Sequence, residues 1–123
     1  MTESKLLRIL VADDNKDAAD ALTVLLEISG HEVLTVYDGE AAVDAATGHN
    51  PELAVLDIGM PKLNGYQVAQ VLRQRLPGTV LVAVSGWGSV RDVERAREAG
   101  FHHHITKPAA FDEIDSLIRR IRC

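Results

Sequence analysis

Cysteine is nearly absent from this sequence: Cys123, the last residue, is the only one. A single thiol forms no disulfide within the chain, which fits a reducing compartment, and its position argues against a nucleophile. No apolar run is long enough to span a bilayer. The opening MTESKLLRIL lacks the length and the small-residue cleavage site of a signal peptide, and it reads as the approach to a first strand. The chain is therefore expected in the cytoplasm, away from membranes. Positive charge is also in short supply. Thirteen Lys and Arg stand against 18 Asp and Glu, a net charge of −5. That leaves no electrostatic footprint for nucleic acid, and no direct nucleic-acid binding is expected. Repeats, low-complexity segments and linkers are missing too. What remains is 123 residues, 46% hydrophobic and 25% charged, which suits one soluble domain over 1–123 with a single core.

What is present alternates. LLRILVADD is a short apolar run ending in acid. The next segment carries Ala18, Ala21, Leu22, Leu25 and Leu26 on one helical face; Asp14 or Asn15 can cap its start and Gly30 its end. EVLTVY reads as a second strand, followed by an Ala-rich helix around Ala41 to Ala46 that Asp38 can cap. LAVLD is a third strand, and Val68, Val71 and Leu72 stripe the helix from Gly65 to Arg75. TVLVAVS is a fourth strand. Ser89 can cap a helix with Val90, Val93 and Ala96 inside, and Arg91, Glu94, Arg95 and Glu98 on a solvated face; Gly100 ends it. HHHIT is a weak fifth strand, and Phe111, Ile114, Leu117, Ile118 and Ile121 point inward from a last helix.

Five repeats of strand then helix predict an α/β fold, a parallel sheet with helices on both faces. The most apolar strands, at Leu7–Ala12, Leu53–Leu56 and Val80–Val84, are central because a central parallel strand is buried on both sides; EVLTVY and HHHIT are edges. This agrees with a flavodoxin-like, doubly wound (βα)5 arrangement in strand order 2-1-3-4-5, with a site outside the carboxyl ends of the strands.

The strand ends, in order, are Asp13-Asp14, Asp57, Ser85-Gly86 and Thr106-Lys107-Pro108. Three carboxylates at one edge repel, and a divalent cation relieves them. Mg²⁺ prefers a few carboxylate oxygens completed by water and phosphate oxygens. Lys107 can hold an incoming anion and Ser85 can donate a hydrogen bond to it. The set suits phosphoryl transfer to a carboxylate nucleophile, Asp57, which needs no general base because it is already ionised near neutral pH. The imidazoles of His102, His103 and His104 alternate across a strand, so they do not converge on a metal.

VADDN follows strand 1, LDIGMPKLNG lies around strand 3, VSGW follows strand 4 and TKP follows strand 5. With these four motifs the chain resembles the receiver domains of two-component response regulators along essentially its whole length, which would leave no room for an output domain. The tail and the SGWG context resemble receivers attached to hybrid histidine kinases. The resemblance implies a phosphorylation-driven switch that modifies only itself. Asp57 would accept a phosphoryl group from a phosphohistidine of a histidine kinase or a histidine phosphotransfer protein. Asp14, Asp57 and the backbone carbonyl of Gly59 would ligate Mg²⁺, and Asp13 would act through a bound water. Ser85 would be the switch hydroxyl that moves to the phosphoryl group, and Lys107 would pair with that group. The Lys107–Pro108 bond would be cis, and Gly65 would relieve a backbone geometry unsuited to other residues. The fourth helix, fifth strand and fifth helix would form the output face, where two copies pair or a downstream protein binds.

Two positions depart from the family pattern. His104 stands where the family carries a switch Tyr or Phe, and an imidazole is smaller and titrates near neutral pH. Gly59 and Trp87, two positions after the acceptor and after the switch residue, would gate the hydrolytic water in opposite senses. Other classes fit less well. An aspartyl-phosphate phosphatase of the haloacid dehalogenase type needs a second Asp where Gly59 stands. A flavin-binding module needs a Ser/Thr/Gly-rich loop where ADDNKD stands.

Overall fold

Each strand feeds a helix, and four crossovers join the five strands. The computed structural model describes residues 6–86, 88, 90–107 and 111–122. The order is β1 (Arg8–Ala12), α1 (Lys16–Ile28), β2 (Glu32–Val36), α2 (Gly39–His49), β3 (Leu53–Asp57), α3 (Gly65–Arg75), β4 (Val80–Ser85), α4 (Val90–Ala99), β5 (His103–Thr106) and α5 (Phe111–Arg122). All neighbouring strands are parallel, in the order β2-β1-β3-β4-β5 expected from the sequence.

Strand β3 runs through the middle and all five of its residues are buried. Its side chains alternate between two cores. Leu53 and Val55 join Ile9, Val11 and Val82 under α1 and α5, where Leu26, Ile114 and Ile118 cover them. Ala54 and Leu56 join Leu10, Leu81 and Ala83 under α2, α3 and α4, where Ala46, Val68, Leu72 and Ala96 cover them. Two cores from one sheet replace the single core that composition suggested, because a doubly wound sheet buries both faces. Among the described residues no helix is long and apolar enough to cross a membrane.

Local chemistry sets the helix ends. Asn15, not Asp14, caps α1: its side chain accepts from the Ala18 N–H. Asp38 caps α2 through the Ala41 N–H. Asn64 and Gln67 form a reciprocal capping box on α3, which the sequence reading did not anticipate. Gly30 and Gly100 follow α1 and α4 with φ of +99° and +112°, a left-handed step that glycine makes without steric cost.

Two inward faces differ from expectation. On α1 the buried residues are Ala19 and Leu26, whereas Ala18 and Ala21 are exposed and Leu25 is 43% exposed. The helix also makes a polar contact with β2 that hydrophobic spacing does not register. The Thr23 hydroxyl donates to the Ala19 carbonyl at 2.8 Å and lies 2.7 Å from the Thr35 hydroxyl of β2. On α4, Val90 is 74% exposed, and Ala96 and Ala99 make the buried contact instead. The Ser89 cap lies outside the described residues. On the outer side of α4, Arg95 stacks over the Tyr66 ring of α3 at 4.3 Å.

Candidate functional site

The carboxyl ends of β1, β3, β4 and β5 converge on one edge. Asp13 follows β1, with its N–H donating to the Val36 carbonyl at 3.2 Å. Its carboxylate accepts from the Asn15 N–H at 3.0 Å, so the residue that starts α1 also orients the first acid of the site. Asp14 is exposed beside it. Asp57 ends β3 and is 5% exposed. Its Oδ1 lies 3.4 Å from the Gly59 nitrogen and 3.1 Å from Lys107 Nζ. Lys107 also reaches to 3.9 Å from Asp13, and its own N–H donates to the Ser85 carbonyl at 2.7 Å. One carboxylate oxygen from each of Asp13, Asp14 and Asp57 lies within 4.8 Å of the others.

Electrostatics follow from this crowding. Burial pushes the Asp57 carboxyl up from its ordinary value, the Lys107 hydrogen bond pulls it down, and the Asp13 charge pushes it up again; burial prevails. Burial works against the Lys107 ammonium, but its hydrogen bond to Asp57 and the charges of Asp57, Asp13 and Asp14 outweigh that and hold it above its ordinary value. One ammonium therefore leaves the buried carboxylate short of compensation. An all-oxygen set that a lysine only partly neutralises suits a hard divalent cation such as Mg²⁺.

The loop after β3 is held tightly. Ile58 donates to the Val84 carbonyl at 3.1 Å, and Gly65 donates to the Ile58 carbonyl at 2.9 Å. A β-carbon on Gly65 would stand 2.7 Å from the Asp57 carbonyl oxygen and 2.8 Å from the Ile58 Cα. The expected reason for this glycine is thus corrected: it permits a close approach of α3 to the end of β3, not an unusual backbone angle. Gly59 is exposed, and a β-carbon there would meet nothing within 4 Å, so the space beside it is open.

Ser85 is buried at the end of β4, and its hydroxyl lies 3.0 Å from Nε2 of His104 on β5. His104 is therefore hydrogen-bonded to Ser85, where a phenyl ring would make no such bond. Trp87 and Pro108, and with Pro108 the geometry of the Lys107–Pro108 bond, lie outside the described residues. Among the described residues, the one group of three or more ligand-type side chains with metal-ligand spacing is Asp13, Asp14 and Asp57. Sequence reasoning missed the Asn15 backbone contact to Asp13, although an Asn two residues after an acid at a helix start is a recognisable turn signal.

Comparison with known proteins agrees with this geometry. Residues 9–119 match the family model described as response regulator receiver domain. PrrA of Mycobacterium tuberculosis, named a transcriptional regulatory protein, is 35% identical over 114 residues, covering 93% of this chain and 49% of that protein. The alkaline phosphatase synthesis transcriptional regulatory protein PhoP of Bacillus subtilis is 33% identical, covering 93% and 48%. The Francisella response regulator 1452 receiver domain superposes with a TM-score of 0.88 at 26% identity, over 94% of this chain and 95% of that one. A CheY-like receiver from Methanospirillum hungatei has the same fold, with a TM-score of 0.88 at 24% identity over 96% and 95%. The chain spans about half the length of the curated relatives it matches. These names correct the expectation that nucleic acid is excluded. The relatives are transcriptional regulators, and a net charge of −5 describes only these 123 residues, so it does not rule out nucleic acid as a partner.

Proposed function

Because the chain belongs to the family of response regulator receiver domains, a group of phosphoacceptor signalling switches, we propose that Asp57 is its phosphoacceptor. The observation that supports this most is the placement of one buried carboxylate, 3.1 Å from an ammonium, beside two further acids at the sheet's carboxyl edge. An Asp57 carboxylate oxygen attacks the phosphorus of a phosphohistidine. A P–O bond forms, the P–N bond breaks, and its electron pair returns to the imidazole nitrogen. Asp13, Asp14, Asp57 and the Gly59 carbonyl would hold Mg²⁺, which when bound neutralises charge on the phosphoryl oxygens. Lys107 orients the acceptor and pairs with the transferred group. Space beside Gly59 admits the water that later hydrolyses the acyl phosphate, so the domain promotes its own phosphorylation and dephosphorylation. Ser85 then donates to a phosphoryl oxygen, and the shift is passed to the face formed by α4, β5 and α5. Residues 1–123 act as one receiver unit in the cytoplasm.

The test is the intact mass after incubation with acetyl phosphate. One added phosphoryl group that requires Mg²⁺ and is absent in Asp57→Asn is the expected result. Phosphorylation that persists in Asp57→Asn would place the acceptor elsewhere.

A further inference from the structure

His104 Nε2 lies 3.0 Å from the Ser85 hydroxyl, and this bond can run in two directions. A serine hydroxyl has one proton. Ser85 can donate it to a bare Nε2, or it can accept from an Nε2–H and keep its own proton for another acceptor. A phosphoryl oxygen only accepts. Once Ser85 donates to a phosphorylated Asp57, it cannot also donate to His104. The two contacts coexist only if His104 carries its proton on Nε2.

From this we infer that His104 is a positioning residue for the switch, and that phosphorylation of Asp57 selects the Nε2–H form of its ring. The inference rests on the phosphoacceptor reading above. Ser85 stays tethered to β5 and delivers its proton to the phosphoryl group, and the direction of one hydrogen bond carries the state of the site into the strand beneath the output face. A phenyl or phenol ring would do this differently. A phenyl ring has no hydrogen-bonding atom, and a phenol oxygen sits further from the strand than an imidazole nitrogen. Either route to the Nε2–H form serves, a change of tautomer or uptake of a proton. The charged and titratable groups that share surfaces with His104 are Arg97 on α4, His102 and His103 beside it, and Glu113 and Arg120 on α5.

The test uses imidazole nitrogen chemical shifts of the full chain, with and without beryllofluoride and Mg²⁺, in the wild type and in Ser85→Ala. Binding of the phosphoryl mimic is read separately from backbone amide shifts at Ile58 and Gly59. The expected result is a rise in the Nε2–H population of His104 from a minority to most molecules on mimic binding, and no such rise in Ser85→Ala. An unchanged Nε2 with the mimic bound overturns the inference alone. A rise of equal size in Ser85→Ala also overturns it, because the charge of the bound group would then act on the ring without the hydroxyl. Absence of mimic binding overturns the phosphoacceptor reading and this inference with it.

Discussion

Lys107 brings its ammonium to 3.1 Å from Oδ1 of Asp57, and the two groups are buried unequally: the carboxylate side chain is 6% exposed and the lysine 36%. The lysine keeps contact with solvent while the carboxylate does not. That asymmetry explains why the pair raises the lysine's proton affinity yet leaves the aspartate above its ordinary value. A site that holds an ionised acid at a net cost suits a cation, which would offset that charge.

Asp57→Asn is expected to stabilise the domain without Mg²⁺. The folded state favours the protonated acid, so ionisation costs stability at every pH above the ordinary carboxylate value of 3.8. A neutral amide removes that cost. The gain should be on the order of 1 kcal/mol, about 4 °C in Tm for a domain of this size. Mg²⁺ should raise the Tm of the wild type and leave the variant nearly unchanged. A lower Tm for the variant in chelator would show that Lys107 compensates Asp57 fully.

Lys107→Met should act in the opposite direction. It leaves Asp13 and Asp57 without their ammonium, and the expected loss at pH 7 is roughly 1 kcal/mol once solvent screening of a third-exposed lysine is allowed for. Phosphorylation by acetyl phosphate should fall at least tenfold, while Mg²⁺ binding, followed by calorimetry, should be retained. Unchanged phosphorylation kinetics would remove Lys107 from the site.

His102 should make the fold sensitive to mild acid. Its Nδ1 accepts from the Leu81 N–H at 2.9 Å, so the ring must be unprotonated there. Burial, the Arg73 charge and the neighbouring His103 all push its pKa below the ordinary 6.5. The unfolded chain therefore binds a proton that the folded one refuses. Stability is complete above pH 6.5 and declines as pH falls toward the lowered value. His103 adds to the slope, since burial and Arg120 lower it as well. In His102→Asn the amide oxygen can replace Nδ1 as acceptor and does not titrate. Urea titrations at pH 7.5 and 5.5 should show a smaller pH-dependent loss in that variant. An identical loss in both proteins would assign the slope to other groups.

Gly65→Ala should cost about 2 kcal/mol, because the new β-carbon meets backbone atoms of Asp57 and Ile58 that have no alternative rotamer. If Asp57 is the acceptor, the same displacement should slow phosphorylation, since its own carbonyl has to move. A fall in stability without any kinetic change would separate the α3 contact from the site.

Much of this was legible in the order of residues. Strand–helix alternation predicted the parallel sheet, and the apolar character of LAVLD and TVLVAVS marked the central strands. Both inferences rest on burial, which a residue's chemistry reports directly. The acids and the lysine were found at strand ends because a parallel sheet brings its carboxyl ends to one edge whatever the details of packing.

What needed the tertiary structure depends on angle and register. On α1 the buried face is Ala19 and Leu26, beside the Thr23–Thr35 contact, and on α4 it is Ala96 and Ala99, which leaves Val90 exposed. Helical spacing shows that a face is apolar but does not show how far the helix turns once a neighbour is in place. The contacts of Gly65 with Asp57, of His102 with Leu81 and of Ser85 with His104 join residues far apart in the chain. Composition and order determined which groups meet at the edge of the sheet. The packing of helices against the sheet, with its hydrogen bonds and ion pair, decided which of them touch.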